Sequence, residues 1–281
     1  MSTVSITAPR RKLSPTFMAG AILVGLHLAV ALLTLVWTPY DPFSTAGGRL
    51  EAPSLAHWAG TDRLGRDLFT QIMIGSRTAL MVGAGAVAIG TAIGVTLGLL
   101  AAFASRLMDD ALAATLDILI AFPTLLVAML VVAASESPSL FTALFALGIG
   151  MAALIARLTR ILAKRVLRED YITASRTSGT SWPGVVWRHV LPNIWPTLSV
   201  SLALQFGLSV IAEASLSYLG LGAPPPNASW GRMLQEAQST VYTAPMGAVL
   251  PGIALVGLVI GINLFADGLR DMVDPTRRGA R

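Results

Sequence analysis

Six stretches of this chain run for about twenty residues or more with almost no charge: Phe17–Trp37, Thr78–Phe103, Ala111–Ala134, Leu140–Leu162, Ile194–Leu219 and Met246–Leu269. A helix needs roughly 20 apolar residues to cross a bilayer, and inside lipid only helices and closed barrels satisfy their own backbone groups. The pattern therefore predicts an all-α membrane protein with six transmembrane helices. Charged residues make up 12% of the chain, about half the share usual in a soluble domain. The first tract follows Arg10, Arg11 and Lys12, as a signal peptide would. It is too long for one, lacks a small-residue cleavage site and precedes further spans, so it reads as an anchored first span.

Orientation follows from lysine and arginine. With the N-terminus placed in the cytoplasm, 15 of these residues fall on the inside and 5 outside, the latter being Arg49, Arg63, Arg66, Arg77 and Arg232. That excess is the positive-inside bias of a membrane protein. The net charge of +5 does not call for a nucleic-acid partner, because the basic residues sit in the gaps between apolar tracts. The chain divides into a cytoplasmic tail (1–16), a first span (17–37), an extracytoplasmic segment (38–77), a five-helix core (78–270) and a second cytoplasmic tail (271–281). The largest cytoplasmic loop, 164–193, lies within the core.

That loop contains "DYITASRTSGTSWPGVVWRHVLPN", residues 170–193. Glu169 and Asp170 suit a helix start, and Ala174, Ser175 and Ser178 keep the surface of that helix small. Gly179 suits a left-handed C-cap, Ser181 a second N-cap and Pro183 a first helical turn. A second short helix would then end at Leu191-Pro192. The loop reads either as a structured connector or as a surface that another protein approaches closely.

Within the spans, Ala86, Gly90, Gly94, Gly98 and Ala102 recur every fourth residue. Such a stripe lets helices meet at backbone contact, either inside the chain or against a sister subunit. Gln205 and Glu213 share one face of the fifth tract. They either line a translocation path or hydrogen-bond between helices, since polar groups at bilayer depth face protein or water. Asp117 and Asp267 read as local capping or pairing groups, and His27 as a packed, satisfied histidine. Asp62 and Arg66 are spaced i, i+4 on an expected short helix. Trp58 and Trp230 read as interfacial anchors, and Pro224-Pro225-Pro226 as a stiffener of the loop after the fifth span.

Several catalytic classes are excluded. The two lysines, Lys12 and Lys164, follow no glycine-rich run, so no P-loop is present. The chain has no cysteine, and His27, His57 and His189 are scattered, so neither a thiol nucleophile nor a zinc pattern appears.

The cytoplasmic loop resembles the "EAA" loop of ABC importer permeases, which forms the coupling helix docked on the ATP-hydrolysing subunit. Ala174 and Gly179 match its anchors; Thr173 stands where the family usually has Glu, and Ser175 where it has Ala. With "GTDRLGRD" (60–67), "DILIAFP" (117–123), "SYLGLGAPPPNASWGRML" (217–234) and "FADGLRDMVDP" (265–275), the chain resembles the C-type permease of dipeptide, oligopeptide and nickel importers from about Thr16 onward. The resemblance implies a six-span subunit of the bacterial inner membrane forming half of a pore. Its partners would be a homologous second permease subunit, two ATP-binding subunits and an extracytoplasmic solute-binding protein. No cofactor would be bound by this chain, ATP and Mg belonging to the partner ATPases. It places Tyr171, Thr173, Ala174, Ser175, Gly179, Leu191 and Pro192 at the coupling surface, and Asp62, Arg63, Arg66, Asp67 and Trp230 at the outer gate or receptor surface. Nickel chelates and glutathione are alternative cargoes within such families. An ion-coupled secondary transporter would need a cluster of buried acids near broken helices, for which the sequence shows no convincing candidate.

Overall fold

The computed structural model describes residues 14–135, 139–222 and 227–273. The tri-proline and most of both tails lie outside these residues. Helix α1 (Pro15–Leu33) opens with Ser14 as N-cap, its hydroxyl accepting from the Phe17 N–H, and with proline in the first turn. The others are α2 (Leu68–Phe103), α3 (Arg106–Ala121), α4 (Thr124–Ala133), α5 (Leu140–Leu167), α6 (Asp170–Thr177), α7 (Trp182–Val185), α8 (Leu191–Tyr218), α9 (Trp230–Ala237) and α10 (Met246–Val273). Among the described residues, five continuous helices are long and apolar enough to cross a membrane, and α3 with α4 makes a sixth if the bent pair counts as one span.

The core seam runs between α2 and α5, and its cause is the small-residue stripe. A Cβ at Gly90 would lie 3.0 Å from Gly148 O, one at Gly94 2.7 Å from Ala152 O, and one at Gly98 2.5 Å from Ala156 O. The backbones approach because α2 presents only glycine at these three points, where α5 brings Gly148, Ala152 and Ala156. The stripe is thus an internal seam of this chain. Val82, Ala86, Leu147, Met151 and Ile155 continue it into a buried cluster closed by Leu198 and Leu216 of α8. Helix α1 lies outside this core, against α10. Gly20 meets the backbone at Phe265, and the His27 ring nitrogens lie 2.8 Å from Leu23 O and 3.1 Å from Ala254 O, one of which accepts its N–H.

Three expectations change. Helix α2 begins at Leu68 rather than Thr78, because Asp67 caps it and the buried residues among 68–76 include polar Thr70, Gln71 and Ser76 rather than a uniform apolar tract. The tract Ala111–Ala134 is not one straight helix: α3 and α4 meet at 82°. Pro123 has no N–H for the helical ladder, and Phe122 before it is extended at φ −82° and ψ 127°, as the steric demand of a following proline dictates. Finally, the second helix of the polar loop does not end at Leu191-Pro192. A π turn, Val186–Val190, carries it into α8, with the Leu191 N–H donating to Val186 O, five residues back. The wider turn accommodates Pro192, which has no N–H for the helical ladder, within the continuous helix.

Candidate functional site

At one end of the bundle, α6 and α7 form a two-helix hook. Gly179 adopts φ +91°. Its N–H donates to Arg176 O at 3.0 Å and the Thr180 N–H to Ser175 O at 3.1 Å, the paired bonds of a Schellman cap. Ser181 then caps α7, accepting from the Gly184 N–H, and Glu169 occupies the cap position of α6 without a side-chain bond. Ile172, Val185, Val190 and Ile194 bury themselves against Ala163, and Leu191 packs at the edge of this small core. The hook is therefore held by its own apolar face.

Its other face is open. Tyr171, Thr173, Ala174, Gly179 and Pro192 are exposed, and a Cβ at Gly179 would meet nothing within 4 Å. Ser175 is half-buried: its hydroxyl lies 3.0 Å from Thr180 Oγ1 and 3.1 Å from His189 Nε2, tying α6 to the π turn. Asn193 Nδ2 donates to His189 O at 2.7 Å and to the Tyr171 hydroxyl at 3.3 Å. The Trp182 ring receives the Arg176 guanidinium 4.3 Å above its centroid and the Phe103 ring edge-on, anchoring the hook to the end of α2. The structure thus gathers all seven residues placed at the coupling surface into one unit. His189 and Trp182, which position that unit, carry no local signal of the role because their partners lie on other elements.

The opposite end is a cap built from residues 38–67 and α9. Asp62 and Arg66 do pair, at 2.6 Å, but on a tight turn rather than a helix. An isolated bridge joins Thr61 to Asp67, Gly65 sits at φ +78°, and Asp62 accepts from the Leu64 and Arg66 N–H groups. Arg66 also reaches Glu236 of α9 at 2.8 Å, and Arg232 meets the same carboxylate at 2.9 Å. Arg63 donates to Ser239. A narrow cleft of about 50 Å³ opens beside these groups.

Two residues assigned to this outer surface are interior. Asp67 is buried; it caps α2 through the Thr70 N–H at 2.8 Å and accepts from His57 Nδ1 at 2.9 Å. Trp230 is 1% exposed. Its indole N–H donates to Ile72 O at 3.1 Å, and its ring covers Gly75, where any Cβ would collide with it. Trp230 is a structural bolt between α9 and α2, and not an exposed anchor, whereas Trp58 is exposed and rests on Phe69.

Gln205 and Glu213 are both buried in α8. Glu213 accepts from Ser217 at 2.6 Å and is hydrogen-bonded to Ser229, the cap of α9. Asp117 pairs with Arg157 of α5 at 3.3 Å. The sequence reading missed Glu236 as the acceptor shared by two arginines, and Asp109 as a buried acceptor for Arg160 and Lys164. Their separations in sequence leave no periodic trace.

The bundle therefore carries one exposed hook and one stapled cap. A solved amino acid ABC transporter matches it with a TM-score of 0.57 at 15% identity, over 72% of this chain and 94% of that one. The chain belongs to the family of binding-protein-dependent transport system inner membrane components, whose model matches residues 94–279. A dipeptide transport system permease of Alkalihalophilus pseudofirmus is 36% identical over 91% of this chain and 84% of its own length. A glutathione transport system permease of Pectobacterium atrosepticum is 39% identical over 92% and 86%. A probable D,D-dipeptide transport system permease of Escherichia coli is 35% identical over 95% and 89%. This protein is an ABC importer permease subunit of the inner membrane, a class that works with ATP-hydrolysing and substrate-binding partners.

Proposed function

We propose that this subunit forms half of a pore that admits small peptides, paired with a homologous permease, and that its hook is the coupling helix. The observation that carries the proposal is the hook itself: an apolar inner face, an open outer face of Thr173, Ala174 and Gly179, and a glycine cap leaving room for a partner's surface. ATP and Mg would sit on two partner subunits, since the sequence has no P-loop. Closure of those subunits would push on α6 and α7. The continuous helix from Trp182 to Tyr218 would carry the push as a rigid lever into the membrane. The cap, with Asp62, Arg63 and Arg66 on its surface, would face the solute-binding protein.

Peptide cargo is supported by the dipeptide permeases among the relatives; glutathione, itself a tripeptide, is the second reading because one relative bears that name. Cysteine at Ala174 in this cysteine-free chain tests the coupling surface. Crosslinking should capture the ATPase subunit, and labelling from outside intact cells would contradict both placement and role. Competition between a labelled dipeptide and glutathione for uptake separates the two cargoes.

A further inference from the structure

One face of α5 changes character along its length. Leu154 and Ile161 are exposed apolar side chains, with Arg157, paired with Asp117 of α3, between them; Lys164, Arg165 and Arg168 follow on the same side by helical spacing. At the end of the helix Arg160, Ile161, Lys164, Arg165, Arg168 and Glu169 line an open cleft of about 490 Å³. Asp109, buried on α3, holds two of these cations: Arg160 Nε at 2.6 Å, and Lys164. Among the described residues the side chains of Arg165 and Arg168 have no ion pair or hydrogen bond, nor does that of Glu169. The cleft therefore has two cations fixed in its wall and two unpaired ones at its mouth. With Asp109, Asp110 and Glu169 counted against the four cations, and Asp117 against Arg157, one positive charge remains in excess.

We propose that this cleft holds the headgroup phosphate of an anionic phospholipid in the cytoplasmic leaflet, with the acyl chains along Leu154 and Ile161. Three features select a lipid. Helix α5 has 28 residues, about 42 Å, so its last turns extend beyond a hydrocarbon layer of roughly 30 Å into the headgroups. The cationic cleft includes exposed Ile161, with exposed Leu154 two turns further along the same face, apolar contacts that neither a free anion nor an acidic protein surface requires. The cations belong to the arginine-rich side of the chain, and basic clefts beside spans on that side suit anionic headgroups. Because the same helix runs directly into the hook, a bound lipid would brace the base of the coupling unit.

The test uses the purified transporter complex, titrated with phosphatidylglycerol or phosphatidylcholine and read by native mass spectrometry. The wild type should retain phosphatidylglycerol selectively, and Arg165→Gln/Arg168→Gln should weaken that retention about tenfold or more. Arg188→Gln, on an exposed residue of the π turn, should leave it unchanged. Both variants change exposed side chains, so unchanged thermal unfolding should accompany the loss. Equal retention by wild type and double variant, equal affinity for the two lipids, or displacement by excess inorganic phosphate would overturn the proposal. So would loss of the ATPase subunits with lipid retention intact, which would make the cleft a protein interface.

Discussion

The two ends of this bundle are built on opposite plans. The cap fastens itself: Trp230 is bolted to Ile72, Asp67 to Thr70 and His57, and Glu236 to two arginines from separate elements. The hook fastens only its inner face and leaves Tyr171, Thr173, Ala174 and Gly179 open. A polar surface with satisfied groups holds a shape. A small-residue surface with open space awaits a complement. The contrast says that substitutions in the cap should cost stability, whereas substitutions on the hook should cost communication with a partner.

The comparison breaks first at Trp230. Trp230→Ala removes a fully buried ring and should cost about 3–5 kcal/mol. It should free α9 to proteolysis while the hook keeps its protection, so equal protease sensitivity at both ends would refute separate fastening. Gly94→Leu attacks the seam that both ends share. Its Cβ would sit 2.7 Å from Ala152 O and from Ile155 Cβ, so we expect about 3 kcal/mol of destabilisation and poor recovery of folded protein. Glu236→Ala should be milder, about 1 kcal/mol, because the carboxylate and its arginines are partly exposed; thermal unfolding in detergent measures it. Ser175→Ala should change the melting temperature least. It unties α6 from His189, so it should lower the ATP hydrolysis stimulated by the loaded binding protein more than basal hydrolysis. Equal losses in both rates would mean that the Ser175 link only holds the fold.

Much of this was legible in the sequence wherever the signal was local. The Gly179 cap, the Ser181 cap and the four-residue stripe are short patterns whose physics is set by neighbours in the chain, and each appears where the pattern put it. The bend at Phe122-Pro123 was hidden because apolar residues continue on both sides of it, and hydropathy does not register a missing N–H. The start of α2 was hidden for the reverse reason: Thr70, Gln71, Ser76 and Arg77 break the apolar run while the helix goes on. Trp230 looked like a surface anchor because aromatic residues near bilayer edges commonly are; only the glycine opposite, Gly75, explains how the ring gets inside. The Arg66–Glu236 pair and the Ser175–His189 link join residues distant in sequence, and no periodicity announces either.

The account turns on the hook transmitting work to the membrane, and Gly179→Asp measures that most directly. The site has φ +91° and no neighbour within 4 Å, so a side chain costs about 1–2 kcal/mol of local backbone strain without disturbing any span, and it sets a charge on the face meant for the partner. In the assembled transporter, reconstituted with its binding protein, the variant should be inserted at the wild-type level. Peptide uptake should fall, and hydrolysis of ATP should lose its response to the loaded binding protein; Gly179→Ala should do the same more weakly. Wild-type uptake together with normal stimulation of hydrolysis in Gly179→Asp would contradict the account and leave the hook a connector.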